Sequence, residues 1–428
     1  MKKPFLTLLF LLLYPIAVSD FAGEIVAESH IYSQHIKTLQ AIANNNWLSS
    51  PAVLRLRSDD VLYVSFDELS HTYHRYTYHI ERCEADWTTA SEVFESDWIE
   101  GFNNCLIENY SLSVNTIVPY THYQFQIPND RCRLKMSGNY RLHITDDDSN
   151  EEVASIDFLV TEQTMSLALE ATTDTDIDTN QSHQQLSLRL NYLGNRVTYP
   201  DEQIMLVVMQ NGREDNMRRG VSPTYSNADG LEWHHCRELI FEGGNEYRKF
   251  EILDPSHPTM GIDNITWDGS NYQVYPFLDE PRPNYIYDKD ANGAFYIRNS
   301  DNRENDTSSE YVLVNYRLKA PYMPQGHIII NGHWTTETSN SYIMTYDKEN
   351  STYTAQILQK QGYYSYQYLW KPNNGRPRLL PSEGNFYQTE NRYLAFIYYK
   401  GIGERTWRLT ALREILLGSS DAHDKTWR

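Results

Sequence analysis

The chain has 428 residues, with 57 acidic against 37 basic side chains and a formal charge of −20. Such a field repels nucleic acid and anionic lipid, which excludes both as partners. The length also exceeds what one hydrophobic core supports, so several domains are expected, and the breaks described below give three.

In chain order, Lys2 and Lys3 precede an apolar run from Phe5 to Leu13 and the segment Tyr14–Ser19. That is the layout of a secretory leader, residues 1–19, cleaved near Ser19. The run is too short for a permanent membrane anchor, and no cysteine follows it to carry a lipid, so no direct membrane anchor is expected.

Residues 20–163 read as a first β-sandwich of immunoglobulin-like size. Val61–Phe66, Tyr76/Tyr78/Ile80, Thr121/Tyr123/Phe125/Ile127, Tyr140/Leu142/Ile144 and Ile156/Phe158/Val160 alternate with period two between turn residues. Three of the four cysteines, Cys83, Cys105 and Cys132, fall here, and the fourth is Cys236. Four thiols allow three pairings, and spacing does not choose among them or against free thiols.

Residues 164–300 read as a central β domain, from Leu186/Leu188/Leu190/Tyr192 through Ile204–Met209 and Phe250–Leu253 to a Pro-, Asn- and Tyr-rich stretch, Asp254–Asp290, expected as irregular loop. Asn299–Ser309 carries no apolar side chain and reads as a linker or exposed loop. Residues 301–418 then supply six strands of an early-set-like sandwich, and 419–428 a tail. Within the third domain, Tyr364/Tyr366/Tyr368/Trp370 and Leu394/Phe396/Tyr398 are expected to pair as a hairpin around the loop Glu383–Asn391. The fold class is therefore all-β, with tandem immunoglobulin-like and early-set sandwiches, and the excess of tyrosine (33) over phenylalanine (14) favours strands with one wet face.

Chemistry-bearing patterns are sparse. Asp174, Asp176 and Asp178 imitate a calcium loop, but Thr179 and Gln185 stand where glycine and glutamate are needed. Trp233-His234-His235-Cys236 and His71/Tyr73/His74 gather metal-capable groups without a second ligand pair. No nucleophile elbow, zinc-protease helix or phosphate loop is present, so no catalytic, cofactor-binding or metal residue is assigned and no cofactor is expected.

Three blocks carry a resemblance: Tyr76–Trp87; Tyr120–Asn129 with Leu134–Tyr140; and Gly362–Tyr399 with its EGNFYQTEN centre, joined by Tyr275-Pro276-Phe277 before Arg282–Tyr285. Together they resemble the type IX secretion system plug protein family over most of the chain. Arg82 and Glu84 around Cys83, and the ending Gly401–Trp407, depart from the family pattern. The resemblance implies a non-enzymatic periplasmic protein, peripheral to the outer membrane, whose partner is the large outer-membrane β-barrel translocon that it binds and occludes. It does not say which residues form the binding interface. For Trp87, Trp98, Phe102 and the EGNFYQTEN loop, packing or turn-making is the expectation, and for Gly138 and Gly384 tight-turn geometry. The competing reading is a glycan-binding sandwich, with Trp334, Tyr346 and Trp370 stacking on sugar faces.

Overall fold

The computed structural model describes residues 29–418. The leader 1–19 and the tail 419–428 expected from the sequence lie outside the described residues. The chain is all-β, built from three bodies of packed, mostly antiparallel sheets.

Period-two alternation builds the first body. Tyr78 and Ile80 stand opposite Ile144 and Leu142 on the neighbouring strand, and Leu142 and Tyr140 in turn face Ile156 and Phe158. These inward rows pack on a second sheet made of Ile36–Ala43, Leu62–Glu68, Thr121–Ile127 and Tyr110–Leu112. The four cysteines are free and buried, and burial pushes the thiols of Cys83 and Cys132 up to about 12.

The middle body joins a sheet around His183–Asn191 to a sheet ordered Arg213–Arg219, Ile204–Gln210, Asn391–Tyr399, Arg408–Leu417. The third body, Arg248–Leu379, is inserted between the two halves of the middle one, with its own core of Phe250, Val314, Tyr316, Ile328 and Tyr366 among others.

This nesting corrects two expectations. The aromatic strands do not form a hairpin: Gly362–Pro372 lies in the inserted body, whereas Asn391–Tyr399 is a central strand of the middle one. The domain boundaries 164–300 and 301–418 are replaced accordingly by a middle body of Ser166–Glu242 with Asn391–Leu417 and an insert. Asn391–Tyr399 is buried along nearly its whole length and Gly362–Pro372 from Tyr364 to Leu369, so neither shows along that stretch an exposed face that would name its partner. The Pro372–Gly375 signal does turn the chain, but into the two-residue strand Arg378–Leu379 that folds back on Leu369 and Trp370.

Two loops expected from the sequence also differ. Asp254–Asp290 contains the hairpin Ile262–Trp267/Tyr272–Pro276, whose turn is closed by Asp268 accepting from the Ser270 and Asn271 amides. Asn299–Ser309 ends in a single helical turn, Asn305–Ser308, and the Val114 amide of the first body donates to Thr307 O at 2.8 Å.

Candidate functional site

The EGNFYQTEN motif marks the point where the chain returns from the insert to its host. It lies beside the outgoing crossing, Gly243–Tyr247. Gly244 N donates to Asn385 Oδ1 at 2.8 Å, Phe386 N to Gly244 O at 2.8 Å, Asn245 Nδ2 to Glu383 O at 2.7 Å, and Asn391 Nδ2 to Gly243 O at 2.7 Å. Gln184 Nε2 reaches in from the host to Tyr387 O and Thr389 O, 2.7 and 2.9 Å away. A Cβ on Gly243 would sit 2.1 Å from Phe386 O, which is why the outgoing strand carries glycine there. On the insert side, Glu383 receives Arg248 at 2.8 Å and Arg282 at 2.6 Å. Burial opposes its charge, yet the two guanidinium groups hold the carboxyl below the usual range. The side chains of Glu383, Asn385, Thr389, Asn391, Asn245 and Gln184 are thus engaged within the crossing itself.

A second junction ties the first body to the insert. Asp67, fully buried, accepts Lys360 Nζ at 2.6 Å and the Tyr311 hydroxyl at 2.7 Å, and its other oxygen lies 2.7 Å from His122 Nδ1. Lys360 also donates to Asp306 O at 2.6 Å and sits 4.1 Å from the Tyr120 ring centroid. Burial works against the Asp67 charge, but Lys360 and His122 outweigh it and keep its carboxyl below the ordinary range. Nearby, Glu310 accepts the amides of Ile117 and Val118.

At the third junction, between the first and middle bodies, Cys83, Ala85, Trp87 and Leu159 pack on Val207, Met209, Leu394, Phe396, Tyr398 and Leu409. Arg82 threads this apolar contact. It donates to Ser137 O at 2.8 Å and to Trp407 O at 2.6 Å, while Trp407 N donates to Glu84 Oε2 at 3.1 Å. The three departures from the family pattern, Arg82, Glu84 and the 401–407 ending, thus meet in one contact. Gly138 has φ +134° and a missing Cβ because the Arg82 guanidinium occupies that space, 2.3 Å from where the Cβ would be; it opens a strand and makes no tight turn. Gly384, at φ +81°, does lie in a bend, with Phe386 and Arg282 closing over it.

The remaining sequence candidates scatter. Trp87 is buried at the third junction and Trp98 in the first core beside Tyr140, whereas Phe102 is 74% exposed. Trp334 is buried among Tyr316, Tyr342 and Tyr364, with Nε1 donating to Ser365 O at 3.1 Å, and offers no face to a sugar. Tyr346 packs on Tyr322 and Tyr353, and Trp370 is half-buried in its strand. Asp174, Asp176 and Asp178 each have a separate partner, Thr179, His235 and His183. His74 is tied to Glu68, His71 to Ser113 O, and Tyr73 stacks on Tyr110. Among the described residues no group of three or more His, Cys, Asp or Glu is arranged to hold a metal, and no helix is long and apolar enough to cross a membrane.

A cleft of about 450 Å³ opens where the three bodies meet, lined by Trp47, Met209, Met217, His333 and Lys371 among others. His333 Nε2 donates to Asn211 O at 3.0 Å, and burial lowers its imidazole to about 4. Nothing in the sequence pattern pointed to His333, Asp67 or Lys360, because each acquires its role from a residue distant in the chain.

The described residues form a multi-sandwich scaffold whose three bodies are tied at three junctions. Residues 36–162 match the family described as type 9 secretion system plug protein 1st domain. A hypothetical protein from Parabacteroides merdae, known from its crystal structure, superposes with a TM-score of 0.88 at 32% identity, over 92% of this chain and 100% of that one. The chain belongs to the type IX secretion system plug protein family. No curated protein matches it. Two other solved structures share too little shape to bear on it: an alkylpurine DNA glycosylase of Pseudomonas fluorescens (13% identity, 29% of this chain, 30% of that chain, TM-score 0.17) and the C-terminal domain of a Streptococcus pyogenes antigen I/II-family protein (7%, 91%, 99%, TM-score 0.15). Family membership ties the chain to type IX secretion and to the cell envelope.

Proposed function

We propose that the chain is a non-enzymatic periplasmic plug that binds the large outer-membrane β-barrel translocon of type IX secretion and occludes its channel between transport events. The observation that carries this reading is the locking of all three junctions: a buried charge network, a buried apolar contact threaded by Arg82, and a chain crossing closed by several hydrogen bonds. A conduit wide enough for folded cargo leaks small solutes when idle. A stopper made of hinged domains would lose conformational freedom on sealing it, whereas a body already locked loses little. The absence of enzymatic work is supported by how the buried ionisable groups are used: Asp67, Lys360, Arg248, Glu383 and Arg82 are each committed to a structural partner.

A strain lacking this chain is expected to become permeable to small periplasm-excluded dyes and antibiotics when empty translocons accumulate, and tagged chain is expected to recover the giant barrel from detergent-solubilised outer membranes. An envelope that stays as tight as in the parent strain overturns the proposal.

A further inference from the structure

Among the described residues, three of the four most exposed large apolar side chains are Phe94, Phe102 and Ile402, at 72, 74 and 70%. Contacts between their segments gather them on one edge. The Asn103 side chain donates to Glu95 at 2.9 Å and exchanges bonds with both the amide and the carbonyl of Ile80, tying the Phe102 turn to the Phe94 turn. Arg405 pairs with Asp97 at 2.7 Å, and its guanidinium lies 5.8 Å from the Phe94 centroid, which brings up the loop that carries Ile402.

The display is rigid. Phe94 N donates to Asp97 at 3.0 Å, Phe102 N to Arg131 O at 2.8 Å, Lys135 Nζ to Ser96 O at 2.6 Å, and the buried Trp98 fixes the helical turn between the two phenylalanines. Holding two phenylalanine rings in water on an ordered frame contributes nothing to the fold, and exposed apolar clusters of this kind mark contact sites. Charge says what kind of contact. Residues 84–100 hold Glu84, Asp86, Glu92, Glu95, Asp97 and Glu100 and no lysine or arginine; on the flanking segments Arg405 answers Asp97, Arg133 stands opposite Glu100, Arg131 pairs with Glu108 and Lys135 rests on Ser96 O, which leaves the exposed Glu92 and Glu95 beside Phe94.

We propose that this edge docks a basic protein surface of the translocon, with arginine or lysine side chains lying across Phe94 and Phe102 and their cationic ends on Glu92 and Glu95. This rests on the plug reading and specifies the chemistry of its partner. The contact of Arg405 with Phe94 and Asp97 is an intramolecular copy of it: a guanidinium shared between a ring face and a carboxylate. An anionic membrane is repelled by the same carboxylates.

The experiment recovers the barrel from detergent-solubilised outer membranes with the tagged full-length chain. Phe94→Ala/Phe102→Ala is expected to lower recovery at least about tenfold, at an unchanged thermal midpoint. Glu92→Gln/Glu95→Gln, which keeps size and fold, is expected to lower it several-fold and to flatten its dependence on salt. Recovery equal to wild type by both double variants overturns the inference while leaving the plug reading intact, and so does binding of the wild-type chain to phosphatidylglycerol vesicles through these residues. Failure of the wild-type chain to recover any barrel sinks the plug reading, and this inference with it.

Discussion

A tyrosine differs from a phenylalanine by one hydroxyl, and in this chain that oxygen does interior work. Tyr316, Tyr364, Tyr366 and Tyr368 are all buried, and their hydroxyls end on Gln359, the Lys360 carbonyl and Asp279 at 2.6 to 2.9 Å. The abundance of tyrosine therefore reflects, in these strands, polar tips satisfied inside the core rather than the wet faces that composition alone suggests. His333 shows the same logic in a titratable group. Its folded imidazole stays neutral down to about pH 4, while the unfolded one takes up a proton from about its ordinary value of 6.5. Stability is thus full above pH 6.5 and is lost as acid approaches pH 4, by about 2 kcal/mol because solvent in the cleft reaches part of the ring. Thermal midpoints followed from pH 7 to 4 should show this decline, and His333→Gln should flatten it; an equally steep decline in the variant would remove His333 as the cause.

Between elements, the sharpest dependence falls on Lys360, at the end of strand Thr352–Lys360. Lys360→Met leaves the buried Asp67 carboxylate with Tyr311 and His122 but without its lysine, an imbalance that costs about 3–5 kcal/mol, whereas adding Asp67→Leu should recover most of the loss. Denaturant titration of the single and double variants measures both. What the sequence tells at this scale is uneven. The inward rows Tyr78/Ile80, Tyr140/Leu142 and Ile156/Phe158 were readable because period two with a polar reverse face names both the strand and its buried side. The partner of Asn391–Tyr399 was not, since a strand buried on both faces is compatible with any neighbour. The EGNFYQTEN loop was recognisable as highly specified, yet its role depends on Gly243–Glu246, which no local pattern links to it. Phe102 shares the aromatic character that predicts packing for Trp87 and Trp98, yet it is the exposed member of that set.

For the molecule as a whole, the three junctions set the cooperativity. Separate domains joined by wet interfaces unfold one by one, but here parting any pair exposes Asp67 with Lys360, the Trp87–Phe396 contact or the hydrogen-bonded crossing of Gly243 and Asn391. Calorimetry of the intact chain should therefore give a single transition whose calorimetric and van't Hoff enthalpies agree, and resolved peaks in the wild-type chain would contradict it.

The nested connectivity also sets an order of assembly. Ile204–Gln210 is made early, but the strand that covers its inner edge, Asn391–Tyr399, arrives only after the whole insert has been synthesised. Until then the half-finished sheet carries a bare apolar edge, the kind of surface that pairs with neighbouring chains. The insert meanwhile contains all the strands of its own core and can close without waiting. A newly made molecule thus completes its inner loop before its outer one, and its most vulnerable interval lies between the two.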